Sequence, residues 1–159
     1  MKAVYKNLAF QMLATVAFAV IVGGLAGHSA AADSCPLSHG FWRNHPTAWP
    51  VTSLTLGSQT YSQAELLTIL GTPVGGKGGA DASLILADQL IAAELNIANG
   101  SDSAPVDSTI ADADDLLAGF GGKLPLAVRP PSETGQAMIA DAEVLASYND
   151  GQLTPDCAP

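Results

Sequence analysis

The chain has 159 residues, 48% of them hydrophobic, with six basic residues against fifteen acidic ones and a formal charge of −9. Such an acid excess excludes a phosphate-binding footprint, because nucleic acid and anionic membrane are held by clustered lysine and arginine that release counterions. The length suits one domain with a real hydrophobic core.

At the start, Lys2 and Lys6 supply positive charge, residues 8–26 are uncharged and mostly apolar, and Ala30, Ala31 and Ala32 offer small side chains to a peptidase. This order predicts a cleavable secretory signal over residues 1–32 and one exported domain over residues 33–159. An uncleaved anchor is the competing reading of the apolar run, but Gln11, Thr15 and the Gly23-Gly24 pair interrupt it and no basic stop-transfer cluster follows. Leu25-Ala26-Gly27 resembles a lipoprotein signal, yet His28 stands where the lipid-bearing cysteine would be. Cleavage removes two basic residues and no acids, leaving 127 residues with a formal charge of −11. The product is expected in the periplasm or the medium, off the membrane.

Residues 35–50 hold both tryptophans, two of the three histidines and three prolines without a sustained period, which predicts an ordered but irregular lead-in. Leu54 to Tyr61 alternate around Gly57-Ser58, the pattern of a short hairpin. Ser62 and Glu65 then form a capping box ahead of Leu66, Leu67, Ile69 and Leu70, predicting a helix that stops at Gly71. The glycines at 71, 75, 76, 78 and 79 predict a flexible connection. It is not a phosphate loop, since Gly78 rather than Ser or Thr follows Lys77 and no strand precedes it.

Asp81 is placed to cap a helix over residues 82–98, whose Leu84, Ala87, Ile91, Leu95 and Ala98 recur at helical spacing while Leu86, Leu90 and Ile97 widen the stripe. So broad an apolar surface predicts the central helix. Further helices are expected from about Asp107 or Ser108, carrying Ile110, Leu116, Leu117 and Phe120, and from Ser132 to Tyr148, with Ala137, Met138, Ala142 and Leu145 inward. The predicted fold class is mainly α, a compact domain of about four helices with an irregular N-terminal segment and a short β-hairpin. The two cysteines, Cys35 and Cys157, are expected to pair in an oxidising compartment and to close nearly the whole domain.

The segment Cys35-x-Leu37-x-x-Gly40-Phe41-Trp42-Arg43-Asn44-His45-Pro46-x-x-Trp49-Pro50 resembles the opening of a family of uncharacterised secreted bacterial proteins with the pattern C-x-L-x-x-G-[FY]-W-[KR]-N-H-P-x-x-W. Later segments are similar too, among them Leu54-Thr55-Leu56-Gly57, residues 90–96 and Tyr148-Asn149-Asp150-Gly151. The resemblance implies secretion and a single fold over nearly all of the mature chain. It implies no reaction, and where this chain has His39 the family pattern often has glutamine.

Phe41, Trp42, Arg43, Asn44, His45 and Trp49 form the candidate patch. One reading makes it a packing device, with large rings buried and polar neighbours tying down irregular backbone. Another exposes a tryptophan to stack on sugar rings or a partner. A third takes Cys35, His39, His45 and Cys157 as zinc-compatible ligands, against which the export route favours a disulfide. Asp112 and Asp115, with Asp114 beside them, form an acidic face that suits a helix N-terminus better than a calcium loop. Neither a metal nor another cofactor is expected, and no serine lies in a nucleophile elbow. The expectation is a non-catalytic binding, structural or assembly domain, its partner envelope or matrix polysaccharide or a second copy of itself. The alternative is a secreted hydrolase using His45 and a carboxylate not identified from sequence.

Overall fold

The computed structural model describes residues 34–76, 78–155 and 157. The predicted signal, residues 1–32, lies outside the described residues. Among these, α1 spans His39–Asn44, β1 Ser53–Leu56, β2 Gln59–Ser62, α2 Gln63–Gly71, β3 Gly75–Gly76, β4 Gly79–Ala80, α3 Ala82–Ala98, α4 Asp107–Ala118 and α5 Glu133–Asn149. The protein is mainly α, and no described helix is long and apolar enough to cross a membrane.

Helix α3 is the centre because its apolar positions go almost all the way round. Leu84, Leu86, Ala87, Leu90, Ile91, Ala92, Ala93 and Leu95 are all buried, and α5, α1, α2, α4 and β1 pack around them. Its N-cap, Asp81, also organises the loop before α5. Asp81 Oδ1 accepts from the Ser83 N–H at 2.9 Å and the Val128 N–H at 3.0 Å, and Oδ2 accepts from the Ala127 N–H at 3.0 Å. These bonds hold Ala127 at a φ of 55°, a conformation that a residue with a Cβ seldom adopts.

The hairpin follows the predicted alternation. Strands β1 and β2 pair antiparallel with Leu54 opposite Tyr61 and Leu56 opposite Gln59, and Leu56 and Tyr61 point into the core. Its turn needs glycine twice over: Gly57 sits at a φ of +58°, and a Cβ there would come within 2.7 Å of the Ala118 backbone nitrogen in α4. The capping box opens α2 as its sequence predicts, with Glu65 Oε2 accepting from the Ser62 N–H at 2.8 Å.

Two segments differ from expectation. Residues 35–50 are not irregular throughout, because Ser38 Oγ accepts from the Phe41 N–H at 3.2 Å and caps the six-residue α1. Pro46 then stops it: His45, ahead of the proline, takes φ −125° and ψ 60°, and Pro46–Ala48 continues as one 3-10 turn. So short a helix carries too few residues to show a period, which is why the composition reads as loop. The glycine-rich connection likewise contains order, a two-residue antiparallel ladder pairing Gly75 with Ala80 and Gly76 with Gly79. Ala98 and Ala137, expected inward, are exposed at the surface.

Candidate functional site

The N-terminal strap, residues 34–50, lies against α3, and the residue that seats it is Asn96. This amide is fully buried on the most apolar helix of the fold and uses every hydrogen-bonding position it has. Its Oδ1 accepts from the Leu37 N–H at 2.8 Å and from Trp42 Nε1 at 2.9 Å. Its Nδ2 donates to the Leu37 carbonyl at 2.9 Å and to Asn149 Oδ1 at 2.9 Å. The chain of amides continues outward, since Asn149 Nδ2 donates to the Gln89 carbonyl at 3.0 Å and to Gln89 Oε1 at 3.1 Å. Gln89 Nε2 in turn lies 3.2 Å from His39 Nδ1, which therefore accepts. Burial makes such a network strong when complete and costly when broken.

This seating divides the six candidate residues. Trp42, 1% exposed, belongs to the core, its indole N–H consumed by Asn96. Phe41 and Trp49 are half-buried; Phe41 meets Trp42 edge to face at 5.3 Å, and Trp49 Nε1 donates to the Trp42 carbonyl at 2.8 Å. Arg43, Asn44 and His45 are exposed. His45 stacks on Phe41 with centroids 4.3 Å apart, and its Nδ1 lies 2.9 Å from the Phe41 carbonyl. A carbonyl can only accept, so Nδ1 carries the proton. The strap thus has a core-facing ring, Trp42, and an outward face of Phe41, Arg43, Asn44, His45 and Trp49. Gln63 Nε2 from α2 fastens its far end, donating to the Pro46 carbonyl at 2.7 Å.

The near end of the strap is fixed covalently. Cys35 and Cys157 form a disulfide with Cα atoms 5.4 Å apart across a sequence separation of 122. Both sulfurs are consumed by this bond, so the set Cys35, His39, His45 and Cys157 has no thiolate to offer zinc. Among the described residues no group of three or more His, Cys, Asp or Glu is arranged to hold a metal ion.

Carboxylates that no sequence motif marks lie close to this framework. Asp88 on α3 has one oxygen buried without a hydrogen-bond partner, and burial raises its pKa to about 7 against the opposing pull of the Arg43 guanidinium. Glu94, also on α3, is raised to about 8 by burial, reinforced by the negative charge of Asp114 on α4. Asp114 is itself raised by burial, although the Gly57 N–H donates to its Oδ1 at 2.7 Å and pulls the other way. A strongly apolar helix gives no sequence signal that its rare acids will be poorly solvated; only the packing of α1 and α4 against it does. The acidic face expected from the sequence does assemble, as Asp112 and Asp115 join Asp141 of α5 around a groove of about 550 Å³. None of these carboxylates is hydrogen-bonded to His45, whose described bond is to backbone. Comparison with known protein families, with curated proteins and with solved structures finds no match, so the site is read from the chain's own residues.

Proposed function

We propose that the chain acts outside the cytoplasm as a non-catalytic binding domain whose contact surface is the outward face of the strap, with matrix or envelope polysaccharide as its ligand. The observation that carries this reading is the contrast within the patch: Trp42 is locked in the core through Asn96, while Arg43, Asn44 and His45 are exposed beside the half-buried Phe41 and Trp49, His45 stacking on Phe41. A rigidly backed surface of rings and polar forks loses little conformational entropy on binding, and such surfaces stack on sugar rings while donating to hydroxyls. The cysteine pair, the charge pattern of residues 1–32 and the likeness of residues 35–50 to a family of secreted bacterial proteins all support an exported location. The side chain of His45 bonds to backbone rather than to a carboxylate, which favours binding over hydrolysis.

The test is co-sedimentation of the mature chain with insoluble cell-wall and matrix polysaccharides, comparing it with the triple variant Arg43→Ala, Asn44→Ala, His45→Ala. All three side chains are exposed, so the variant is expected to remain folded, melting within about 5 °C of the parent, and to stay in the supernatant. Retention by the same polysaccharides at unchanged strength would remove the strap as the contact surface. Concentration-dependent sedimentation of the parent without polysaccharide, abolished in the variant, would replace the ligand with a second copy of the chain.

A further inference from the structure

A second concave site, lined by no strap residue, lies where the hairpin, the C-terminal half of α3 and the start of α4 leave a groove of about 410 Å³. Its size is that of a small-molecule site. Leu54, Ile97, Ala98 and Ile110 supply apolar walls, and Glu94, Asp107 and Ser103 supply the polar groups. From this geometry we infer that the groove binds a small organic cation, a primary ammonium on a hydrocarbon body, with the ammonium on Glu94 and the hydrocarbon between Leu54, Ile97 and Ile110.

The groove sets an acid without a described partner into an apolar wall. Among the described residues Glu94 has no hydrogen-bond or ion-pair partner, and no basic side chain lines the groove. A half-buried carboxyl normally acquires a donor or a cation. Asp114 stands near it with the same sign, and Asp107 adds a third acid at the groove's edge. A ligand ammonium placed on Glu94 gains an ion pair in a groove lined by no cation, with Asp107 on the same lining and the charge of Asp114 acting on Glu94, while its hydrocarbon part covers apolar wall. The raised pKa of Glu94 reports the same lack of a partner, since a bound cation would favour the ionised form. Neutral or anionic ligands gain only the apolar part of this contact.

Hexylamine and hexanol, matched in length and differing in charge, separate these contributions by calorimetric titration. At about pH 8.5 the amine remains charged and Glu94 is mostly ionised. The parent chain is expected to bind hexylamine at least ~10-fold more tightly than hexanol. Glu94→Gln should bring hexylamine down to the hexanol level and leave hexanol itself unchanged. Equal affinity for the two probes in the parent overturns the inference, and so does the absence of saturable amine binding up to ~10 mM. Unchanged amine binding in Glu94→Gln also overturns it, the amine then being held by the general negative charge of the chain. The comparison of two probes on the parent needs no variant to fold, and neither result depends on the strap.

Discussion

The amides of α3 that seat the strap and the acid of α3 that faces α4 meet burial in opposite ways. On the strap side Asn96, Asn149 and Gln89 satisfy one another, two backbone segments and an indole, so a run of amides inside an apolar core is stable and geometrically specific. On the α4 side Glu94, with no described partner, faces Asp114, and burial with like charge pushes the carboxyl up to about 8. The lesson is that burial alone does not decide the cost of a polar group; whether its partners arrive with it does. The amides that seat the strap are completed by backbone and by one another, and Asp81 by three backbone N–H groups, whereas neither a backbone donor nor a cation reaches Glu94 among the described residues.

Breaking the satisfied flank should have the largest effect. Asn96→Ala removes four hydrogen bonds at once and leaves the Trp42 indole, the Leu37 amide and Asn149 Oδ1 without their partner, for an expected loss of ~3 to 5 kcal/mol in urea denaturation. A loss below ~1 kcal/mol would show that water replaces the amide and that the relay does not seat the strap.

The unsatisfied flank predicts a pH dependence of unusual sign. The folded pKa of Glu94 lies near 8, above its ordinary value of 4.5, so between these limits the folded chain holds a proton that the unfolded chain has released. Stability therefore falls as pH rises across that window, and Asp88, raised from 3.8 to about 7, adds to the fall in its own range. Glu65 runs the other way. Its hydrogen bonds to Lys123 and Ser62 hold it at about 2, so its contribution is present above 4.5 and fades only as pH drops towards 2. Glu94→Gln should raise stability at pH 9 by ~2 to 3 kcal/mol, after allowance for partial exposure, and should be nearly neutral at pH 4. Urea midpoints at the two pH values check this, and an equal effect at both would mean that the carboxyl is not the titrating group.

The smallest change is expected at the surface of the strap. His45→Ala forfeits one stack on Phe41 and one exposed bond to backbone, for ~0.5 kcal/mol. A loss of several kcal/mol would transfer His45 from the outward face to the framework that Asn96 governs, and would sharpen the division between the two faces of the strap at its expense.

Much of the fold is legible in the order of residues. The capping box at Ser62 and Glu65, the Asp81 cap and the run of apolar residues to Ala98 locate α2 and α3 because these signals act within one or two turns. Helix α5 and the hairpin follow for the same reason. The strap is less legible, since a six-residue helix held by Ser38 and ended by Pro46 shows no period. Of the candidate patch, composition names the residues but not their sides: nothing in the order Phe41-Trp42-Arg43 says that the middle ring alone is engulfed. Nothing local in the sequence marks Glu94 or Asp107 as lining a groove.

By itself, then, the amino-acid sequence determined helices α2 to α5, the β1–β2 hairpin and the caps at Ser62 and Asp81, because those rest on contacts between near neighbours along the chain, and the two cysteines left a single pairing within it. Tertiary structure alone decided that Asn96 would complete Trp42 and Leu37 across 54 and 59 residues, and that Glu94 would meet Asp114 rather than a cation. Long-range partnership depends on how helices pack, and packing chooses among surfaces that a linear pattern leaves equivalent.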